Sequence, residues 1–489
     1  MSPARPRVVV TVFDGLRPDL IKPEITPNIL RVAARGTWFR NSRGVFPSVT
    51  RVSTSSIATG APPTAHGIVG NAFYFPEVLP DRVLDTSKRE DIQAAEAFTK
   101  GRFIDADTFG DQLAKTGKRM AVVHTGSAGS THAINPRAAQ NGHWTFSIHG
   151  EETTTTPQAV RECVAKFGAL PGKELPKLKD QDYAARVMVE HVLPSAPDVA
   201  LTWFSEPDTS FHYLEIGSEG SMKALRNADK ALGEILDWVE AQPDADEIAV
   251  IVASDHGQIS TSAALPLHDQ AGEAGFKIGR GSALNGARFV ATSGSSGEIR
   301  LQDGDRAELD RLAAWLIEHP DVSHVFSRGH NEVEGEIAGT LSLAAVGQGH
   351  ARSADLMFIL RSDLSKDIYG LPGLGLLMPG DVAPGGGYHG GLNPHELNTT
   401  LIISAPGRVE AGKIDPSPAG IIDIGPTILD IVGAPKADTM IGRSLIEPAN
   451  EAPRERVLET GKGDFNQRVV TVEQGGRTIL MNGGQQPVD

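Results

Sequence analysis

The chain has 489 residues, 40% of them hydrophobic, with 46 Lys and Arg against 61 Asp and Glu and a formal net charge of −15. That length buries a large core and exceeds the usual single domain, so one large domain with insertions, or two domains, is expected. The acidic balance without a Lys/Arg-rich block excludes a general binder of nucleic-acid polymers, and a single cysteine, Cys163, excludes an intrachain disulfide or a thiolate metal cluster.

Met1–Arg7 runs straight into the apolar run Val8–Phe13, without the longer apolar stretch and small-residue cleavage site of a secretory signal. No apolar run approaches the length of a membrane span, so the expectation is a cytoplasmic chain that works away from membranes. Short β-rich runs then alternate with helical patterns. This predicts an α/β fold, a central, mostly parallel sheet with helices on both faces.

In chain order, Val8–Phe13 is a strand that ends at Asp14, and Thr26–Gly36 is a helix with Thr26 as its cap and Pro27 at the first helical position. Phe46-Pro47-Ser48-Val49-Thr50-Arg51-Val52-Ser53 offers hydroxyls ahead of a helix over Ser53–Thr59, and Ala65-His66-Gly67-Ile68-Val69-Gly70-Asn71 ends in an amide. Met120–Val123 and Val199–Phe204 are further strands, the second followed by Asp208 and His212. Met222–Ala241 is a helix with Leu225, Ala228, Leu232, Ile235 and Val239 on one stripe. Ile248–Ala253 is a strand that ends in Asp255-His256-Gly257.

Roughly 130 residues, a span of small-domain size, separate His256 from His389. They read as an inserted α+β cap over 257–384, with a β-α-β pattern at Ala287–Thr292, Asp310–Glu318 and His324–Ser327 and a flexible, glycine-rich return over Gly370–Gly387. Residues 1–256 and 385–450 read as the catalytic core, which resumes at His389 and the strand Thr400–Ser404. A β-hairpin-like tail, 451–489, with strands Arg468–Val472 and Thr478–Met481, is expected to pack on the core.

Parallel sheets bind ligands at the carboxyl ends of their strands, where three Asp and three His fall here. Asp14, Asp208, His212, Asp255, His256 and His389 suffice for two divalent metals. A mixed carboxylate and imidazole set favours zinc, with manganese or iron also compatible. Asp208 and His212 face the same way if their stretch turns helically. Thr50 is one nucleophile candidate in Phe46–Ser53, because a dication lowers the pKa of a coordinated hydroxyl as it lowers that of water, from 15.7 to about 7. Ser48 and Ser53 are alternative hydroxyls nearby, and a helix start suits an approaching phosphoryl oxygen. Arg17 and His66 read as structural, and the irregularly spaced His124, His132, His143 and His149 specify no further metal and read as solvated loop residues.

In their order, Phe13-Asp14-Gly15-Leu16-Arg17, Thr26-Pro27-Asn28-Ile29, Phe46-Pro47-Ser48-Val49-Thr50, Thr59-Gly60-Ala61-Pro62-Pro63, His66-Gly67-Ile68, Pro207-Asp208 with His212, Ser254-Asp255-His256-Gly257, His389-Gly390-Gly391 and Ala405-Pro406-Gly407 resemble the alkaline phosphatase superfamily. Within it, the chain is most similar to the nucleotide pyrophosphatase/phosphodiesterase branch. The resemblance implies that Asp208, His212 and His389 hold one zinc, and that Asp14, Asp255, His256 and Thr50 hold the other. It further implies a phospho-threonine at Thr50, with Asn71 and the Thr50 backbone amide stabilising the transition state. A metal-dependent phosphodiesterase acting on small-molecule phosphoesters, alone or as a homo-oligomer, is therefore expected.

Two departures bear on substrate. Nucleotide-cleaving relatives commonly place an aromatic residue after the nucleophile, where Arg51 stands here; Arg51 instead suits the extra charge of a phosphomonoester. Ile57–Tyr74 also resembles phosphonoacetate hydrolase, which breaks a carbon–phosphorus bond, but Val122-Val123-His124-Thr125-Gly126-Ser127 lacks the lysines that bind its substrate carboxylate. Cys163, in Arg-Glu-Cys-Val-Ala, lies outside the motif that matures in sulfatases. Monoester or carbon–phosphorus hydrolysis by the same machinery, and a noncatalytic metal- or anion-binding protein on the same fold, are the alternatives.

Overall fold

Four of the five expected apolar runs, each too short for a buried helix and rich in β-branched residues, become with the unexpected strand Trp144–Ser147 the parallel heart of the sheet in the computed structural model. The fifth, at Thr400–Ser404, is antiparallel. The main-sheet strands are β1 (Arg7–Phe13), β2 (Thr37–Arg43), β3 (Met120–His124), β4 (Trp144–Ser147), β5 (Val199–Phe204), β6 (Ile248–Ala253), β7 (Leu401–Ser404) and β8 (Lys413–Gly420). Their spatial order is β8-β2-β7-β6-β1-β5-β3-β4, and β6, β1, β5, β3 and β4 are mutually parallel. β1 is central, with Val10 opposite Leu201 on one side and Ile251 on the other. The structure describes residues 7–484 apart from 282, 283, 285 and 303; most of the Met1–Arg7 lead-in and the last residues of the 451–489 tail lie outside the described residues.

Successive side chains of a strand point to opposite faces. Val8, Val10 and Val12 enter one hydrophobic cluster with Val52 and Ile57, while Val9 and Phe13 enter another with Leu225, Leu232 and Val239. The first face is covered by α2 (Thr50–Thr59) and the second by α1 (Pro27–Arg35) and α4 (Glu219–Glu240); α3 (Asp208–Leu214) leads into α4. This is the α/β sheet, covered on both faces, that the periodicity predicts.

Local differences have local causes. β7 runs antiparallel to both β6 and β2, because the chain reaches it directly from the loops at the carboxyl end of the sheet, with no crossover to return it to the other end. α4 begins earlier than its apolar stripe because Ser218 caps it, its Oγ accepting from Ser221 N–H (3.2 Å). At α1, Thr26 holds the cap position but its Oγ1 accepts from Lys22 N–H instead. Asp229 of α4 supplies the cap, accepting from Asn28 N–H (3.0 Å) and Ile29 N–H (2.8 Å). A tertiary contact has replaced the local one.

Within 257–384 a six-stranded sheet runs Ile278–Arg280, Phe289–Ala291, Ser296–Leu301, Leu356–Leu360, Val322–Ser327, Leu341–Ser342. The expected β-α-β pieces are present as Phe289–Ala291, Arg306–Glu318 and Val322–Ser327, with Ser296–Leu301 and Leu356–Leu360 between the two strands. The helix buries Leu309, Leu312 and Leu316 in a separate hydrophobic cluster. Part of the expected glycine-rich return has regular structure: Pro372–Leu377 is a strand parallel to Ile259–Ala264. Its glycines serve close approach, since a Cβ on Gly373 would lie 2.5 Å from Ile259 Cγ2. Gly387–Tyr388 pairs on the other edge of Ile259–Ala264 and so delivers His389.

The tail is a three-stranded antiparallel sheet, Arg454–Lys462, Phe465–Gln474 and Arg477–Asn482, rather than a hairpin. Its first strand, RERVLETGK, is mostly charged and exposed and so lacks the alternation that marks a strand. Arg477 anchors the sheet through a fully buried ion pair with Asp423 and a hydrogen bond to Pro418 O (3.0 Å). Among the described residues, no helix is long and apolar enough to cross a membrane.

Candidate metal centre and active site

The parallel strands end at one place. Asp14 follows β1, Asp208 and His212 lie on α3 after β5, Asp255 and His256 follow β6, and His389 follows Gly387–Tyr388. Asp208, His212 and His389 offer ligand atoms within 4.8 Å of one another, as do Asp14, Asp208 and His256. His256 Nε2 is 3.2 Å from Asp255 Oδ2 and 3.4 Å from Asp14 Oδ1, and His389 Nε2 and His212 Nε2 are each 3.3 Å from Asp208 Oδ1. Asp208 therefore borders both groups. The His256 and His389 rings stack with centroids 3.7 Å apart.

Each histidine is oriented by its other nitrogen. A carbonyl oxygen only accepts, so Nδ1–H donates from His212 to Gly387 O (2.6 Å), from His389 to Ser48 O (2.8 Å) and from His256 to Gly257 O (3.0 Å). That fixes the tautomer and turns Nε2 toward the carboxylates, as metal-ligating imidazoles require. The carboxylates are held likewise: Trp203 Nε1–H donates to Asp14 Oδ2 (3.1 Å), Gly15 N–H to Asp255 Oδ1 (3.1 Å), and the Gln258 amide to Asp208 Oδ1. Asp255 Oδ2 is buried with no hydrogen-bond partner among the described residues.

Electrostatics agree with this geometry. Burial opposes the charged form of His256, but Asp255 and Asp14 overcome it and push the imidazole up to about 10. Burial and the neighbouring Asp14 push Asp255 well above the usual carboxylate range. For Asp208 burial acts in the same upward sense, but His212 and His389 outweigh it and hold the carboxyl well below that range. Three close, buried carboxylates demand positive charge, and the mixed oxygen and imidazole donors fit a divalent transition metal. The orphaned Asp255 Oδ2 supports the same fit.

Thr50 opens α2, with Oγ1 3.2 Å from His256 Nε2 and 3.5 Å from Asp14 Oδ1. Asn71 Oδ1 accepts from Arg51 N–H (3.0 Å), so its Nδ2–H2 is left to face the cavity that it lines. Arg51 donates from Nε to Thr86 Oγ1 (3.3 Å), makes no ion pair among the described residues, and feels the charges of Asp85, Asp14 and Asp208. Ser48 is engaged with Gly391 O (3.0 Å), and Ser53 is buried inside α2. Thr50 is thus the hydroxyl that faces the carboxylates.

A cavity of about 190 Å³ adjoins the cluster, lined by Val49, Asn71, His212, Tyr388 and His389 and, across from them, by Thr292, Ser293, Ser296, Glu298 and Met357. A larger cavity, about 760 Å³ beside Arg361 and Arg468, shares no lining residue with it. Sequence reasoning missed Gln258, Trp203, Tyr388, Ser296 and Glu298. Tyr388 and Gln258 lie within two residues of candidate ligands, but nothing in the sequence marks Ser296 or Glu298.

The residues read as structural are so placed. Arg17 donates to Asp19 (2.6 Å) and Gln258 O (3.1 Å), and His66 pairs with Ser56 Oγ (2.9 Å). The histidine-rich stretch differs from the expected solvated loops: His124, His132 and His143 are buried, His124 stacked on Trp203 at a strand end and His132 bonded to Glu96 from a helix. Among the described residues, the histidine-rich stretch contributes to neither ligand cluster.

Residues 8–365 match the family model of type I phosphodiesterases/nucleotide pyrophosphatases. A Schizosaccharomyces pombe protein described as an uncharacterized pyrophosphatase/phosphodiesterase is 26% identical over 259 residues, covering 52% of this chain and 45% of that protein. Mouse ectonucleotide pyrophosphatase/phosphodiesterase family member 3 is 24% identical over 53% of this chain and 25% of its own length. Venom phosphodiesterase 2 of Crotalus adamanteus is 25% identical over 51% and 26%. The alignments thus span less than half of these relatives. Among solved structures, an inactive murine ectonucleotide pyrophosphatase/phosphodiesterase 5 in complex with AMP superposes with a TM-score of 0.60 at 16% identity, over 88% of this chain and 96% of that one, and so shares the fold. With the family model matched over most of its length, the chain belongs to the type I phosphodiesterase/nucleotide pyrophosphatase family.

Proposed function

We propose that this chain is a metal-dependent phosphohydrolase of the phosphodiesterase type, acting on small-molecule phosphoesters through a phospho-threonine at Thr50. The observation that carries this reading is the convergence of Asp14, Asp208, His212, Asp255, His256 and His389 at the strand ends, with Thr50 Oγ1 3.2 Å from His256 Nε2. Asp208, His212 and His389 would hold one dication, and Asp14, Asp255, His256 and Thr50 the other, with zinc the best match to the donors. When bound, such ions neutralise phosphoryl oxygens and make a coordinated hydroxyl more acidic.

The chain's own residues supply the rest. The start of α2 presents backbone N–H groups to phosphoryl oxygens, and Asn71 Nδ2–H2 donates to a nonbridging oxygen because its Oδ1 is already engaged. The Thr50 oxygen forms a bond to phosphorus as the bond to the leaving alcohol breaks. Water then displaces Thr50 from phosphorus and restores the free hydroxyl, so two displacements give net hydrolysis.

A second reading, phosphomonoester hydrolysis, rests on Arg51, whose guanidinium is free of ion pairs among the described residues and close enough to feel Asp14 and Asp208. Turnover of bis-p-nitrophenyl phosphate, p-nitrophenyl phosphate and phosphonoacetate by the zinc-loaded protein separates the chemistries. The diester is expected to be the best substrate. Thr50→Ala should abolish its turnover and leave zinc bound; unchanged turnover would refute the mechanism, and inertness toward every phosphoryl compound would favour a binding role.

A further inference from the structure

Glu298 is 5% exposed and lines the cavity beside Asn71, His212 and His389. Its strand, Ser296–Leu301, is docked to the site on two sides. Ser296 Oγ donates to Gly390 O (2.8 Å), next to His389, and Tyr74 N–H donates to Glu298 Oε1 (2.7 Å). Glu298 Oε2 has no hydrogen-bond partner among the described residues. Arg300, two positions along the same face, and Asp355 are the charged groups that act on it; Arg300 donates no hydrogen bond to it, and Arg300 Nε and Nη2 are themselves buried without partners among the described residues.

A buried carboxylate solvated by one backbone N–H is costly, and burial pushes Glu298 up to about 7. Among the described residues that line the cavity there is no Lys or Arg, so a second anionic group entering it would meet the carboxylate with no lining cation to pair it. A cation that brings its own N–H donors removes the cost instead. Tyr388 is the one aromatic among the cavity's described lining residues beside the two histidines, and Thr292 and Ser293 add hydroxyls. That lining lacks the aromatic cage that suits a quaternary ammonium and has the acceptors that suit a primary one.

We propose that Glu298 is a specificity determinant that receives a primary ammonium on the non-reacting arm of a phosphodiester whose phosphorus lies at Thr50 and Asn71. The choice of a diester rests on the reading above; the ammonium site rests on the cavity wall.

The test uses calorimetric binding to zinc-loaded Thr50→Ala, in which the six Asp and His ligands stay intact. Two esters of matched size serve as probes, 2-aminoethyl p-nitrophenyl phosphate and propyl p-nitrophenyl phosphate. The aminoethyl ester should bind at least about tenfold tighter, and adding Glu298→Gln should bring the ratio below about twofold. Glu298→Asp, which keeps the charge one methylene short, should retain part of the ratio. Equal affinities in Thr50→Ala, or a ratio unmoved by both Glu298 changes, would overturn the proposal. Turnover of the propyl ester by the unmutated protein reports separately on the phosphodiesterase reading: tenfold binding preference without turnover would sink that reading and leave the ammonium site standing.

Discussion

The two walls of the cavity are built in different ways. On the main-sheet side, four of the six Asp and His candidates are pinned by the backbone, His212, His389 and His256 donating to carbonyls and Gly15 N–H holding Asp255, while the Trp203 and Gln258 side chains hold Asp14 and Asp208. On the opposite side, Thr292, Ser296, Glu298 and Met357 come from the 257–384 segment, which meets the site through Ser296 Oγ on Gly390 O and Tyr74 N–H on Glu298. The first wall is rigid because the sheet that carries it is buried on both faces. The second is tied to the core at further points, among them Gln348 Nε2 on Phe46 O (2.9 Å) and Arg352 Nη1 on Phe103 O (2.6 Å), but its lining residues include none of the candidate ligands. On the proposed function and the proposed ammonium site, chemistry falls to the first wall and selectivity to the second.

The sharpest break of this comparison is at the first wall. Thr50→Ala should lower kcat for a diester by on the order of 10⁴-fold, as loss of a nucleophile does, with bound zinc unchanged by elemental analysis. A loss below tenfold would move the chemistry elsewhere. The next largest effect lies outside both walls. Arg477→Ala strands the buried carboxylate of Asp423 and should cost about 3–5 kcal/mol in urea unfolding. Because that ion pair anchors the tail sheet, zinc content of the folded fraction should stay the same; loss of zinc would show that the tail supports the site.

Gln258→Ala removes the amide that holds Asp208 Oδ1, and should weaken zinc affinity by roughly 10–100-fold in a chelator competition. An unchanged affinity would mean that the first wall needs no such support. The smallest effect calibrates the frame away from either wall. Burial pushes the Asp180 carboxyl up to about 6, above its unfolded value near 3.9. The unfolded state therefore releases its proton first as pH rises, so stability falls between about pH 4 and 6 and then levels. Asp180→Asn lacks this group and should be more stable than the unmutated chain at pH 7 by on the order of 2 kcal/mol, with the gap closing toward pH 4. A gap independent of pH would contradict the assignment.

The same division governs what could be read from the chain. β1, β5 and β6 were legible because their runs are almost wholly apolar, and Asp14, Asp255 and His256 because they closely follow such runs; Asp208 with His212, and His389 in its glycine-rich loop, stood out by the motifs of the family resemblance. Thr26 misled as a cap because Asp229, some two hundred residues away, reaches the same N–H groups. Within Gly370–Gly387, the strand at Pro372–Leu377 was hidden because Gly373 and Gly375, which look like loop residues, lie against the Ile259 side chain. Glu298 carries no motif. Its position depends on which face of a distant strand meets Tyr74, and only the assembled sheets decide that.

Metal placement tests the account most directly. Anomalous diffraction at the zinc edge from zinc-soaked crystals should show two peaks, one among Asp208, His212 and His389 and one among Asp14, Asp255 and His256 beside Thr50, at roughly 3.5–4 Å separation. A single peak remote from Thr50, or none at saturating zinc, would contradict it.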